Sequence, residues 1–166
     1  MKIFCTFLSA IIICISFMPA YAQMPGYAEL ANLLVDIQGW EASDATGMNM
    51  SGPMGDMVNA VREYEKDGKS LSAQIIVGIA AQGAWAPFET GYSMDSSEIL
   101  VKTMDISGFR VGISHEKKED SGGIVVLLNA EGSSGIFTLA YEGISYDEAL
   151  SIAQRFPWKS IEEAIK

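Results

Sequence analysis

Four of the nine methionines, Met48, Met50, Met54 and Met57, fall within ten positions, among Gly, Ser and Pro. A thioether sulfur is a soft ligand that suits Cu(I). A loop can bring three such sulfurs onto one ion, with Asn49 or Asp56 adding an oxygen, so one reading is a Cu(I)/Ag(I) site. Methionine also fills irregular cores and builds adaptable apolar surfaces, and that reading stands beside the first. A second candidate is Trp85-Ala86-Pro87-Phe88 with Tyr92. Large aromatics in a long connection anchor a partner or line an apolar pocket. Alternatively, they fold back over the sheet.

The remaining chemistry is thin. His115 is the single histidine, so it has no second imidazole with which to form a conventional zinc or copper(II) site. It is expected as an exposed strand-end residue beside a charged tip. Ser114 and Ser121 lie near it, but no nucleophile turn surrounds them, and a serine nucleophile needs a base with an orienting group. A hydrolase is therefore the least favoured reading. The carboxylate pairs Glu116 with Glu119, Asp147 with Glu148 and Glu162 with Glu163 fall on a hairpin tip and in first helical turns, where negative charge favours the helix dipole. No glycine-rich phosphate loop opens a helix. No catalytic residue is assigned, and the chain is read as a non-enzyme.

The 166 residues carry 21 acidic and 11 basic side chains, a net charge of −10. Nucleic acid and anionic lipid both attract Lys and Arg clusters, so neither is an expected partner. A cationic partner is compatible, as is plain solubility. Residues 1–22 read as a secretory signal: Lys2, an apolar run from Ile3 to Met18, then Pro19 and an Ala20-Tyr21-Ala22 cleavage pattern before Gln23. Both cysteines, Cys5 and Cys14, leave with it. The expected mature chain is a single domain, residues 23–166. It is exported to the periplasm or beyond, is free of thiols and retains no membrane anchor.

The elements that must position these residues run helix, strands, helix. Tyr27, Leu30, Leu34 and Ile37 recur at helical spacing after Pro25, predicting a helix closed by Gly39. Thr46 to Pro53 reads as a loop. Two alternating runs, 57–66 and 71–79, joined by Asp67-Gly68 predict a β-hairpin. Residues 80–97 read as a long connection. Strands are expected at 99–104, 109–113, 124–128 and 136–141, with turns at Ser121-Gly122-Gly123 and 131–135. Ser145 to Glu148 forms a capping box, and Ser160 to Glu163 repeats the pattern before a last short helix. The layout predicts an α+β domain: an antiparallel sheet of about five to seven strands, with N- and C-terminal helices packed on one face.

Gly39-Trp40, the Gly/Met segment, Arg62-Glu63-Tyr64 before a hairpin, Ser121-Gly122-Gly123 and Phe156-Pro157-Trp158 occur in that order. In this order the chain resembles small exported bacterial α+β proteins of uncharacterised function, and is similar at fold level to PsbP/Mog1-like domains. The resemblance implies an accessory or binding protein and carries no site residue with it. The expected function is an exported, non-enzymatic binding or accessory protein. Its ligand is a protein partner or a small apolar molecule, held at one sheet end or on an open sheet face, with the Cu(I)/Ag(I) binder as alternative.

Overall fold

The computed structural model describes residues 24–53, 55–130 and 133–166. The expected signal, residues 1–22, lies outside them. In chain order the strands are β1 (Glu41–Ala42), β2 (Thr46–Met50), β3 (Met57–Lys66), β4 (Lys69–Gly78), β5 (Met94–Asp95), β6 (Ile99–Ile106), β7 (Phe109–Glu116), β8 (Ser121–Ala130) and β9 (Ser133–Glu142). The helices are α1 (Tyr27–Ala31), α2 (Ile79–Trp85), α3 (Tyr146–Ala153) and α4 (Trp158–Ala164).

Asp67 and Gly68 both take positive φ, 49° and 76°, as a two-residue primed turn requires. They hold β3 and β4 in unbroken antiparallel register from Lys66–Lys69 to Met57–Gly78. Ser107-Gly108 does the same between β6 and β7. Strands β6 to β9 then meander, and β9 returns to pair with β4. The resulting open sheet runs β1-β3-β4-β9-β8-β7-β6-β5, with β2 also paired to β3.

The sheet therefore has nine strands among the described residues, not five to seven. The unexpected ones are short: β1 and β5 have two residues each, and β2 lies in the stretch read as loop. Gly47 was part of the loop signal, yet it serves close strand approach. A Cβ there would stand 2.2 Å from the Asn59 carbonyl oxygen and 3.0 Å from the Tyr27 ring.

One face of the sheet carries the larger core. Leu30, Leu34 and Ile37 pack there with Ala149, Ile152, Trp158 and Ile161, over Ile75, Val77, Ile113 and Leu139. The helix predicted from Pro25 to Ile37 stops at Ala31. The carbonyls of Leu34 and Val35 accept hydrogen bonds from the Arg62 guanidinium (2.7 Å) and the Tyr64 hydroxyl (2.8 Å), not from helical amides. Ser145 caps α3, accepting from the Glu148 amide. The second capping pattern fails, because α4 starts at Trp158 behind Pro157 and holds Ser160 inside it. Gly122-Gly123 is likewise strand, not turn. The reversal before β8 ends on Asp120, at φ 47°.

The other face is only partly covered. The connection from β4 to β6 crosses it, starting as α2 and continuing as a 3-10 turn, Ala86–Phe88. Ala81, Trp85 and Phe88 form a second core there with Ile136, flanked by Ile76, Val125 and Leu127.

Candidate functional site

Register divides the partly covered face into cross-strand rows. Directly opposed residues of an antiparallel pair point to the same side. The row nearest α2 is apolar across its centre, where Ile76 opposes Ile136, which opposes Leu127, and it continues to Asn59 and Met48 at the edge. The next row holds Gln74, Thr138 and Val125, and the one after it Glu63, Ser72, Ala140, Gly123 and Ser114. The last row runs Glu41, Glu65, Ser70, Glu142, Ser121, Glu116. It contains four carboxylates and no basic residue. Glu41 lies directly opposite Glu65, a like-charge pairing that costs stability when unpartnered.

The uncovered half is hollowed because its central side chains are small. A depression of about 420 Å³ is lined by Glu63, Ser70, Ser72, Ser121, Ala140 and Glu142, among others. Another, of about 550 Å³, shares Ser70 and Glu142 and extends round the hairpin to Glu41 and Glu65, with Lys66 and Lys69 of the hairpin end also on its wall. The Ser72 hydroxyl donates to the Glu63 carboxylate at 2.9 Å. This surface can take hydrogen-bond donors and positive charge, but offers little to an apolar molecule. Sequence reasoning missed it. The available signal was the strict alternation of β4, which sets Ser70, Ser72 and Gln74 on the reverse of its buried stripe.

Trp85 and Phe88 are 6% and 5% exposed. Their rings lie 5.7 Å apart, with the Arg110 guanidinium carbon 5.3 Å from the Trp85 ring centroid. They form the cover of the apolar half and present almost no surface. Tyr92, at 54% exposure, remains outside.

The methionines take a different arrangement. Met50 is the cross-strand partner of Met57, and Met48 that of Asn59. Met48, Met50 and Met57 thus share one face at the β2–β3 edge of the sheet. Met54 lies outside the described residues. Asn49 points to the opposite side, where its side-chain oxygen accepts the Tyr27 amide at 2.8 Å. Asp56 lines a hollow of about 210 Å³ with Met24, Met50 and Met57. The Met strand and α2 leave the same corner, since Met57 pairs with Gly78, the residue before α2. Phe88, however, ends up over β7.

His115 is not the exposed residue expected. It is 6% exposed, sandwiched by Tyr141 (centroids 5.9 Å, stacked) and Tyr146 (5.7 Å). Its Nδ1 lies 3.1 Å from both the Ser121 carbonyl oxygen and the Tyr141 hydroxyl. Gly122 makes the room: a Cβ there would stand 2.8 Å from the Tyr141 hydroxyl oxygen. Burial, with Asp120 adding to it, pushes the Tyr141 phenol well above its ordinary value. No serine hydroxyl contacts the imidazole among the described residues, so Ser114 and Ser121 gain no base from it. Lys102 stands over the Tyr146 ring, 4.5 Å from its centroid.

Among the described residues, no grouping of His, Cys, Asp and Glu is placed to hold a metal ion, and no helix is long and apolar enough to cross a membrane. Compared with protein-family models, curated proteins and solved structures, the chain finds no match.

Proposed function

We propose that this is an exported, non-enzymatic binding protein whose partner is a basic protein segment laid across the uncovered half of the sheet. The observation that carries this reading is the row Glu41, Glu65, Glu142, Glu116, drawn from four strands onto one face with no basic residue among them. Unpaired like charges are retained at a cost, which a positively charged partner offsets. Ser70, Ser72, Ser121 and Ala140 keep the floor low enough for a main chain to approach. The polar lining favours a protein segment over a small apolar ligand. Export rests on the leader-like residues 1–22, and the non-enzymatic reading on the sequence, where no nucleophile turn surrounds Ser114 or Ser121.

The test uses fluorescein-labelled nona-arginine as probe at two salt concentrations. The doubly substituted Glu65→Lys/Glu142→Lys protein should bind it at least about tenfold more weakly than the parent. The reversals Glu89→Lys and Asp105→Lys change the net charge equally but lie on other exposed ground, and should leave most of the affinity. Equal loss in both pairs would mean that the probe reads net charge alone, and the surface would be discarded. Turnover of any substrate by the purified protein would overturn the non-enzymatic half of the reading.

A further inference from the structure

We propose that Met48, Met50 and Met57 form a surface site for one soft monovalent ion, Cu(I) or Ag(I). The proposal does not rest on the acidic row, which lies at the other end of β3.

Three observations converge on it. The first is register. Met50 and Met57 are directly opposed, and Met48 precedes Met50 by two positions on the same face. Opposed Cβ atoms stand roughly 4.5–5.5 Å apart, and same-face neighbours along a strand about 6.6 Å. Each methionine has three rotatable bonds beyond its Cα, enough for three sulfurs to meet over a single ion. The second is exposure. Met48 and Met50 are 51% and 52% exposed, on a strand whose far edge carries no partner strand among the described residues. An ion can reach them without any rearrangement of the core.

The third is an orphaned acceptor. Asn59, the partner of Met48 on this face, has a buried side-chain oxygen with no hydrogen-bond partner. Buried polar atoms are almost always satisfied, which sets this oxygen apart as an unpartnered acceptor in the cross-strand row that Met48 begins. A turn of the Asn59 side chain would offer that oxygen to an ion held by the exposed sulfurs. Soft thioethers select Cu(I) over hard divalent ions, and Asp56 is the one carboxylate lining the adjoining hollow. That donor set suits a monovalent soft ion.

The test titrates protein labelled at the methionine methyl groups with silver nitrate, followed by NMR, and with Cu(I) against a chromogenic Cu(I) chelator. One equivalent should shift the methyl signals of Met48, Met50 and Met57 and leave those of Met94 and Met104 in place. The Met48→Leu/Met50→Leu/Met57→Leu protein should bind more than about tenfold more weakly, since even outer groups around a metal are worth that much. Leucine nearly conserves the volume at these positions, so the thermal unfolding midpoint should stay at that of the parent. Asn59→Val should weaken binding by a smaller factor. Parent-like affinity in the triple variant would overturn the site. So would shifts spread evenly over all methionines, or full loss from Met54→Leu alone.

Discussion

The Phe88 ring occupies the space that a side chain at position 112 would fill: a Cβ on Gly112 would fall 2.3 Å from the ring's Cγ. The glycine sits in the middle of β7, between the fully buried Val111 and Ile113. Its missing side chain lets the crossing segment press onto the sheet. Gly112→Ala must therefore displace the ring or bow the strand, at a cost of ~1–3 kcal/mol. In a double-mutant cycle with Phe88→Leu the two losses should fall short of additivity by at least about 0.5 kcal/mol. Urea unfolding measures both, and strict additivity would show that the contact carries no energy.

Arg62 ties the segment after α1 to the sheet. Its guanidinium donates to the Leu34 carbonyl (2.7 Å), the Ser43 carbonyl (2.9 Å) and Asp36 (2.6 Å). The Asp36 side chain is 84% exposed, so Asp36→Asn should cost less than about 1 kcal/mol. Arg62→Ala strands the half-buried Leu34 carbonyl and should cost about 1–3 kcal/mol. Arg62→Lys should recover little of it, because an ammonium lacks the planar fork that serves three acceptors. Denaturant midpoints rank the three variants. A larger loss for Asp36→Asn than for Arg62→Ala would refute this account.

Burial raises the Tyr64 phenol from 10.0 to about 12, against the opposing pull of Arg62. The folded state therefore holds this proton more tightly than the unfolded state. The stabilisation is complete below about pH 10 and is lost as pH climbs toward 12, amounting to roughly 2–3 kcal/mol. Tyr141 is shifted the same way. Unfolding free energies at pH 9 and pH 11.5 should diverge in the parent and converge by somewhat less than half in Tyr64→Phe, since Tyr141 supplies the rest. An unchanged slope in that variant would assign the alkaline loss elsewhere.

The proposed export makes a direct prediction. When the full chain is expressed in a bacterium with a general secretory pathway, intact mass should place the first residue of the processed protein at Gln23. Recovery only as an uncleaved, membrane-held chain would replace the exported soluble form with an anchored one.

What was legible in the sequence was local. Asp67-Gly68 and the alternation of Leu71, Ala73, Ile75 and Val77 announce the central hairpin, because turn chemistry and period are written within a few residues. Ser145 announced its helix in the same way. What was not legible depends on partners distant in sequence. Helical spacing at Leu30, Leu34 and Ile37 describes a buried stripe, but Arg62 and Tyr64 take the carbonyls a helix needs. Gly47 looked like a loop marker because the strand it approaches lies elsewhere in the chain. His115 looked exposed beside its charged neighbours, whereas Gly122 and Tyr141 make it a place inside. The acidic row is the clearest instance: Glu41, Glu65, Glu116 and Glu142 sit in unremarkable contexts, and only strand register aligns them.

The pairing of β4 with β9 carries one further consequence. This seam joins Ser70 to Glu142 and Val77 to Gly135, so the middle of the sheet is stitched by two segments that the whole run from α2 to β8 separates in the chain. Until the last strand has emerged from the ribosome, the first hairpin has nothing to zip onto, and long-range closure of this sort is slow. A polypeptide wired in this way leaves its sheet in two unjoined parts until its final strand is made.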